Sequence, residues 1–387
     1  MPNFITDKFI KPSLPFSDEG YNFLWEVSSE NSSYVMVENA NAKFFIVIKP
    51  KKDGLYVIKA EKISRPSQVL FLQQALEIYA KKAQCNVLFS NIKPSKPKRE
   101  NFVIKNLDFF AENFLIYKKD IYLEVGFGSG RHLLYQAKNN SDKIIVGVEI
   151  HKPSLEQVAK QCEILGLENV ILIDYDSRIL MEFFPSNSVE RIFVHFPVPW
   201  DKKPHRRVIS SYFTKEALRV LQDNGTLEVR TDSELYFDYT VETFVSESSV
   251  DVKILKNSDL EISSKYEDRW KRLGKNIYDI VLTNHKISEK IDKIAKLEFT
   301  FYSNVDKIIK NFSPKLFLGD GFFVHFETLH VKSNEVAVIK TAFGANERVE
   351  HLFIIIDEKG ARYFPNNVYA FSANKSAHKI IEKWLNE

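Results

Sequence analysis

Short apolar runs alternate with helix-like segments through the middle of this chain, between residues 101 and 290. Apolar runs of this length, bounded by Gly, Pro and polar residues, are typical of strands that are buried on both faces. The alternation predicts an α/β domain, in which a mostly parallel sheet of seven strands carries helices on both faces. The candidate strands are Ile121–Val125, Ile144–Ile150, Val170–Ile173, Val189–His195, Thr226–Arg230, Val250–Leu255 and Ile277–Thr283, and the candidate helices begin near Ser129, Pro153, Ser177, Ser210 and Ser233.

The two ends of the chain have a different pattern, because their short apolar runs are separated by Asn-rich, Lys/Pro and Asp-Gly turns that are typical of β-rich structure. We therefore predict a β-rich region with one helix at residues 1–100, the α/β domain at 101–290 and a second β-rich region at 291–387. Phe44–Ile48 and Leu352–Ile356 are each followed by a Gly-containing turn and later by a helix. The ends are thus either two related units or parts of one accessory domain.

The composition is that of a globular protein, with 44% apolar and 27% charged residues. A formal net charge of +3 is mildly basic and does not by itself indicate a nucleic-acid partner. The two cysteines, Cys85 and Cys162, form no C-x-x-C pair, and the histidines lack ligand spacing, so no disulfide framework and no metal site are expected. The N-terminus lacks a signal-peptide pattern and no apolar run reaches about 18 residues. We expect a cytoplasmic protein with no membrane partner; self-association stays open.

The most informative stretch is Tyr122–Arg131, where the first strand of the predicted sheet ends in a glycine-rich turn before a helix. Glycine allows positive φ angles and lets the backbone approach a ligand closely. Glu124 precedes the turn, and Glu149 ends the next strand at the spacing expected of a carboxylate that binds ribose hydroxyls. The three glycines are Gly126, Gly128 and Gly130.

Two ligands fit a glycine turn of this kind, a dinucleotide and S-adenosylmethionine. A dinucleotide motif needs a third glycine at the position of Arg131, because the pyrophosphate sits on the helix N-terminus. Glu124 would repel a pyrophosphate, whereas it would attract the cationic methionine end of S-adenosylmethionine. The sequence favours the methyl donor over a dinucleotide dehydrogenase and over a domain that binds neither.

Two further segments follow predicted strands and therefore lie at the ligand-binding edge of the sheet. Asp176 follows the third strand, where it would either bond the adenine amino group or cap the next helix. Val194–Arg207 follows the fourth strand and combines aromatic with basic side chains, which suits a single-stranded or looped nucleic acid. A solvated loop with a buried Trp is the alternative. The side chains concerned are Trp200, Lys202, Lys203, Arg206 and Arg207.

Five motifs occur in order at Glu124–Gly130, Gly147–His151, Phe196–Lys203, Arg230–Asp232 and Lys265–Glu267. Together and in this order they resemble the bacterial tRNA (guanine-N7) methyltransferase family over roughly residues 101 to 285. The resemblance implies a Rossmann-like class I methyltransferase domain that uses S-adenosylmethionine. It also implies that tRNA is the partner and that N7 of the variable-loop guanine, guanine 46, is methylated.

By position, the resemblance assigns Glu124, Glu149 and Asp176 to the donor. Contacts with tRNA or guanine fall to Lys202, Asp232, Ser264, Lys265, Tyr266 and Glu267.

The chain departs from the family at one position, because Val198 stands where the family has a catalytic and donor-binding Asp. Guanine N7 has a lone pair and no proton, so the reaction needs positioning rather than a general base. A carboxylate would still stabilise the positive charge that develops on guanine. Asp201 or Asp232 is a candidate for that role. A methyltransferase for another RNA and a silent tRNA-binding protein are the alternative functions.

Overall fold

The computed structural model describes residues 1–66, 68–93, 103–113, 120–259, 261–263, 265–291, 294–300, 304–346 and 348–387. The chain divides into two compact units. Residues 1–99 and 295–387 together form one unit, which we call the accessory unit, and residues 100–294 form the other, which we call the central unit.

The strands of the described residues are, in chain order, β1 (Asn3–Thr6), β2 (Phe16–Asp18), β3 (Tyr21–Ser28), β4 (Ser33–Glu38), β5 (Lys43–Pro50), β6 (Tyr56–Ala60), β7 (Val87–Ser90), β8 (Ile104–Lys105), β9 (Ile121–Val125), β10 (Ile144–Val148), β11 (Val170–Ile173), β12 (Val189–His195), β13 (Leu221–Thr231), β14 (Val250–Lys256), β15 (Tyr278–Asn284), β16 (Lys315–Gly319), β17 (Phe322–Lys332), β18 (Val336–Ala345), β19 (Arg348–Asp357) and β20 (Gly360–Phe364). The α-helices are α1 (Val69–Lys82), α2 (Leu107–Asn113), α3 (Arg131–Asn139), α4 (Lys152–Leu165), α5 (Ser177–Leu180), α6 (Ser211–Val220), α7 (Glu234–Val245), α8 (Lys265–Arg272), α9 (Val305–Asn311) and α10 (Ser372–Asn386).

The central unit contains the predicted mostly parallel sheet, whose strand order is β14-β15-β13-β12-β9-β10-β11-β8. The seven predicted strands correspond to β9–β15, and the short β8 adds an edge beside β11. Among the described strands of this sheet, only β15 runs antiparallel to its neighbours, β13 and β14. This order is that of a class I methyltransferase fold, so the predicted fold class is confirmed. The order reverses at β9, which lies between β10 and β12, and a ligand crevice is expected outside the ends of those strands.

Local sequence explains where the helices around this sheet begin. The Ser210 and Ser233 side chains accept hydrogen bonds from the amides of Phe213 and Tyr236 and thereby cap α6 and α7. Gly130 precedes α3 with a φ of 71°, and a Cβ atom there would lie 2.4 Å from Cγ2 of Val158. Only glycine therefore permits the close approach of α3 to α4. Both helices bury apolar side chains with those of the neighbouring strands in one core.

The accessory unit contains one antiparallel sheet, in which the described strands pair in the order β20-β19-β18-β17-β3-β4-β5-β6-β1-β7, with β2 beside β3 and β16 beside β17. The β3 and β17 strands join its two halves through the single pair Ser28 and Val331. The ring centroids of Phe45 on β5 and Phe353 on β19 are 5.2 Å apart, although four strands separate β5 and β19 along the pairing order. The halves therefore fold face to face around a shared aromatic core.

Each half of the accessory unit has a second apolar core on its outer face. The α1 helix covers the β1–β6 half, while α9 and α10 cover the β16–β20 half. The result is a four-layer arrangement of helix, sheet, sheet and helix. Within the residues described above, no helix is both long and apolar enough to span a membrane.

Candidate active site

The glycine turn and Glu149 form one hydrogen-bonded unit at the reversal of strand order. Oε2 of Glu149 accepts the amide of Gly128 at 3.0 Å, and Oε1 accepts the amide of His151 at 2.9 Å. Gly126, Gly128 and Gly130 all have positive φ angles, between 53° and 71°. The predicted turn and the predicted acid thus lie together, and each Glu149 oxygen keeps a lone pair for a further donor.

The backbone of this turn is open at two of its glycines. A Cβ atom built on Gly126 would meet no atom within 4 Å, and one on Gly128 would meet only a backbone oxygen at 4.0 Å. The side chain of Ile150, directly after Glu149, is 72% exposed and offers an apolar surface at the edge of the crevice. Sequence reasoning missed Ile150, although its place after the acid was visible in the apolar run.

Glu124 is buried, with only 4% of its surface exposed, so it does not face the ligand crevice as an exposed side chain would. Its Oε2 lies 2.8 Å from Nδ1 of His132, and Nε2 of His132 lies 3.0 Å from Nε2 of Gln136. The His132 ring thus lies between the Glu124 carboxylate and the Gln136 amide. Glu124 therefore holds the first turn of α3 in place beneath the glycine turn.

Asp176 caps the short helix α5. Its Oδ1 accepts the amide of Arg178 at 2.9 Å, and its two oxygens also accept the Arg178 guanidinium, at 3.0 and 2.6 Å. Of the two roles that the sequence left open, capping is the one the structure contains. An adenine contact through the remaining lone pairs stays a prediction.

A buried ion cluster connects β13, β15 and α8. Nη1 of Arg230 lies 3.1 Å from Glu267, and its Nε lies 2.5 Å from Asp279. Arg230, Glu267 and Asp279 are each less than 10% exposed, and burial is the main cause that raises the pKa of Asp279. Lys271 adds a contact of 2.9 Å to Glu267. The Glu267 carboxylate, which the resemblance assigned to tRNA or guanine, is thus enclosed by two cations of its own chain.

The remaining residues of the α8 motif are less informative. Ser264 lies outside the described residues, and the backbones of Lys265 and Tyr266 begin α8. Asp232 directly follows β13, where its Oδ2 lies 2.6 Å from Nζ of Lys275. That lysine in turn lies 3.9 Å from the ring centroid of Trp270. The Asp232 carboxylate therefore lies at the C-terminal end of β13, and Lys275 balances its charge.

The loop after β12 is shaped by an internal arginine. Arg207 is 8% exposed, donates from Nε to the carbonyl of Pro199 at 2.8 Å and lies over the ring of Tyr239 at 4.6 Å. The sequence pattern grouped Arg207 with the basic side chains that suit a nucleic acid, but the structure makes it the anchor of this loop. Asp201 is 3.5 Å from the Arg207 guanidinium, so the two charges partly balance.

The other side chains of this loop face solvent. Lys202, Lys203 and Arg206 are exposed, and Arg206 lies 5.2 Å from the ring centroid of Trp200. Val198 is 60% exposed, so an apolar side chain occupies a solvent-facing position. These residues present aromatic and cationic surface together, which the sequence predicted.

His195 is a candidate that the sequence did not single out, because the histidines lack metal-ligand spacing. It ends β12 immediately before the Phe196–Pro197 turn, and its ring centroid lies 4.6 Å from that of His132. Burial is the first cause that lowers the pKa of His195 well below its usual value, followed by His132 and Arg230, so the ring is neutral. Its Nε2 is buried with no hydrogen-bond partner in the described part of the chain. Its place at the end of the strand was the available signal.

No group of three or more His, Cys, Asp or Glu side chains is arranged to hold a metal ion among the residues that are described.

A family model described as a putative methyltransferase matches residues 118–280. The chain is 42% identical over 369 residues to the tRNA (guanine-N(7)-)-methyltransferase of Campylobacter jejuni strain 81-176, with 92% of each chain covered. It is 39% identical to the protein of the same name from Wolinella succinogenes and 34% identical to that from Helicobacter hepaticus, with 100% of each chain covered in both alignments. These relatives match both terminal regions as well as the central one.

Proposed function

The chain belongs to the tRNA (guanine-N7-)-methyltransferase family, and we propose that it methylates N7 of guanine 46 in the variable loop of tRNA with S-adenosylmethionine as the donor. The observation that carries this proposal is the joining of Glu149 to the glycine turn at the reversal of strand order. In open α/β sheets, ligands bind in the crevice at that point. The exposed basic loop after β12 borders the same edge of the sheet.

We assign the donor site to the residues around the glycine turn. When bound, S-adenosylmethionine supplies a methyl group on a positively charged sulfur. Glu149 accepts the ribose hydroxyls, the exposed Ile150 packs against the adenine, and Gly126 and Gly128 admit the ligand to the backbone. Glu124 acts as a positioning residue, because its contact with His132 fixes the start of α3. Asp176 remains our candidate for the adenine amino group.

The transfer itself needs no proton acceptor. The N7 lone pair of guanine forms the new bond to the methyl carbon while the carbon–sulfur bond breaks and its electrons stay on sulfur. The positive charge moves to guanine, so an acceptor or carboxylate near the base stabilises the product side of the reaction. Holding the two reactants in line supplies about 7–11 kcal/mol of the rate enhancement in such a reaction.

Asp232 is our first candidate for the carboxylate that faces guanine, and Asp201 is the second. Asp232 ends a strand at the crevice and is only partly exposed, with an 18% exposed side chain. Asp201 is 49% exposed and stands in the loop that Arg207 anchors. Solvent screens an exposed charge more strongly, so Asp232 offers the larger effect.

We assign the tRNA contacts of the central unit to the loop after β12 and the start of α8. Lys202, Lys203 and Arg206 contact phosphates, while Trp200 stacks on a base. Ser264, Lys265 and Tyr266 remain candidates from the family motif. Glu267 would contact substrate only if its ion pair with Arg230 opened.

The test is methyl transfer from labelled S-adenosylmethionine to unmodified tRNA, followed by digestion and analysis for 7-methylguanosine. Guanine 46 is identified with a tRNA that carries adenine at that position and should accept no label. Glu149→Ala should abolish donor binding in calorimetry, whereas Glu163→Ala on the exposed face of α4 should leave it unchanged. Binding of the donor with label elsewhere in RNA would support another RNA substrate. Binding of tRNA without donor binding would support the silent tRNA-binding protein.

A further inference from the structure

The two units of the chain carry opposite net charge. The central unit has 27 Lys and Arg against 31 Asp and Glu, whereas the accessory unit has 27 against 20. The excess of the accessory unit lies in residues 1–99, with 15 basic and 9 acidic residues. A polyanion is therefore repelled by the net charge of the central unit and attracted by that of the accessory unit. The mildly basic total of +3 conceals this difference.

The accessory unit is built from two equivalent halves. The strands β2–β6 followed by α1 have the same order and pairing as β16–β20 followed by α10. The register breaks at matching places, between Phe23 and Trp25 on β3 and between Phe326 and Thr328 on β17. When the paired residues of neighbouring strands are followed outward from these breaks, Phe45 occupies the same position in its half as Phe353 in the other half. The two ends of the chain therefore share strand order and register within one unit.

An approximate two-fold axis relates the two halves and passes between Ser28 and Val331, the pair that joins them. The same comparison makes Ser28 of β3 equivalent to Val331 of β17, and these two residues pair with each other across the antiparallel junction. Two equivalent positions can face each other only where an approximate two-fold axis passes between them. We call the contact between the two facing halves the seam. The two-fold axis makes the two ends of the seam equivalent in position.

One end of the seam is a cavity in which charges are paired. Trp25, Met36 and Phe364 contribute apolar surface to it. Arg362 lies 2.7 Å from Asp357, and Lys332 lies 2.6 Å from Glu335. Each of these two cations at this end of the seam is neutralised by a carboxylate of the same chain.

The other end carries lysines at the equivalent positions. Lys340 corresponds to Met36, Lys49 to Asp357, and Lys59 to Arg362. Lys59 lies opposite Val47, two residues from Lys49 on the same face of β5, so the two lysines are diagonal neighbours.

Lys62 belongs to the same end. The pKa of His351 is lowered mainly by burial, and then by Lys340 and Lys62 together, so both lysines are near that ring. The pKa of His330 is lowered to about 4 by burial first and then by Lys49 and Lys340. We call Lys49, Lys59, Lys62 and Lys340 the lysine cluster.

The lysine cluster has four positive charges, against the carboxylates of Glu327 and Glu61, which both act on Tyr34 next to His330. Lys340 pairs with Glu327. The other three lysines make no salt bridge with any carboxylate of the described residues, and Lys49 and Lys62 are exposed. Neighbouring like charges without partners cost free energy, so they are favoured where an anion binds.

We propose that the lysine cluster binds the phosphate backbone of tRNA and gives the accessory unit a second contact with the substrate. This inference rests on the proposed function, because it takes tRNA as the polyanion. Each lysine that contacts a phosphate releases counterions, so the contact adds affinity and salt dependence without reading sequence. It adds to the phosphate contacts of the loop after β12 and offsets the net negative charge of the central unit.

The test compares two double variants of the full-length protein that change the charge by the same amount. Lys49→Glu with Lys62→Glu alters the lysine cluster, and Lys375→Glu with Lys379→Glu alters two exposed lysines on α10. The cluster variant should raise the KM for tRNA roughly tenfold and lower the slope of log affinity against log salt by about two. The α10 variant should match wild type, and kcat and donor affinity should be unchanged in both.

Equal KM and equal salt slope in the two variants would overturn the inference while 7-methylguanosine formation by the wild type still supported the proposed function. If the wild type formed none, tRNA binding in calorimetry would test the lysine cluster by itself. A cluster variant with altered solution mass in the absence of tRNA would instead place the lysine cluster in a contact between two copies and would also overturn the inference.

Discussion

Nη1 of Arg131 lies 2.7 Å from Oδ2 of Asp268, which joins the first residue of α3 to α8. Arg131 occupies the position where a dinucleotide motif has its third glycine. Here the arginine connects the glycine turn with the helix that carries the Lys265–Glu267 motif. Ser263 also donates to Asp268, at 2.5 Å, so the carboxylate has two partners that hold the start of α8 in place.

We expect Arg131→Ala to change the KM for tRNA more than the stability of the fold. Both side chains of the pair are largely exposed, at 48% and 41%, and exposed pairs contribute little to folding. Loss of the pair removes one contact that positions α8, while the buried pair of Arg230 and Glu267 still holds the helix, so the KM for tRNA should rise several-fold. Steady-state kinetics and thermal melting measure the two effects. The exchange Arg131→Asp with Asp268→Arg should restore the KM; a KM that stays raised would contradict a role for the pair itself.

Glu267→Gln should lower the stability of the fold more than it changes the KM for tRNA. The substitution leaves Arg230 buried with only part of its counter-charge, and breaking a buried pair costs about 3–5 kcal/mol. The free energy of unfolding in urea should fall by that order, while Asp259→Asn, which removes the exposed partner of Lys271, should leave it unchanged. If Glu267→Gln raised the KM for tRNA without loss of stability, Glu267 would be a substrate contact, as the family motif implied.

The local pattern of the sequence was sufficient to predict β9–β15 and the serine caps of α6 and α7. Those features depend on neighbouring residues, and their physical causes, buried apolar runs and capping hydroxyls, are visible in a short window. The β13 strand shows the limit, because it begins at Leu221 rather than near Thr226. Its first residues pair across a register break beside Val189 of β12, which no short window contains.

The site was predictable in position but less so in role. Glu149 and the glycines are adjacent to each other through the strand order, which the alternation of elements predicts. The burial of Glu267 depends on Arg230, 37 residues away along the chain. Arg207 looks like an exposed base in sequence, yet Tyr236 and Tyr239 from α7 enclose it. Long-range contacts of this kind decide whether a charged residue serves the fold or the substrate.

His330 makes stability depend on pH between about 4 and 6.5. Its pKa is lowered to about 4 in the fold, while an unfolded histidine has a pKa near 6.5. The unfolded chain therefore binds the proton first, and the stability held above pH 6.5 is lost as the pH falls to 4. The integrated effect is roughly 3 kcal/mol.

The measurement is the free energy of unfolding against pH for the wild type and for His330→Phe. The phenyl ring can keep the stacking with Tyr34, whose ring centroid lies 4.0 Å from that of His330. We expect the advantage of the wild type over the variant to shrink from pH 6.5 to pH 4. A constant difference over this range would mean that His330 is protonated equally in both states.

Val198 provides the sharpest test of the reaction. Because its side chain is 60% exposed, Val198→Asp should change the free energy of unfolding little, and it restores the carboxylate that the family motif has at this position. If Asp232 stabilises the charge on guanine in its place, Asp232→Asn should lower kcat at saturating tRNA and donor. Adding Val198→Asp to that variant should then recover much of the loss, because either carboxylate can face the developing charge. Asp201→Asn with Val198→Asp is the matched comparison for the second candidate. An Asp232→Asn variant with wild-type kcat would remove Asp232 from the reaction, and a loss that Val198→Asp leaves unchanged would mean that Asp232 acts by holding Lys275 rather than by facing guanine.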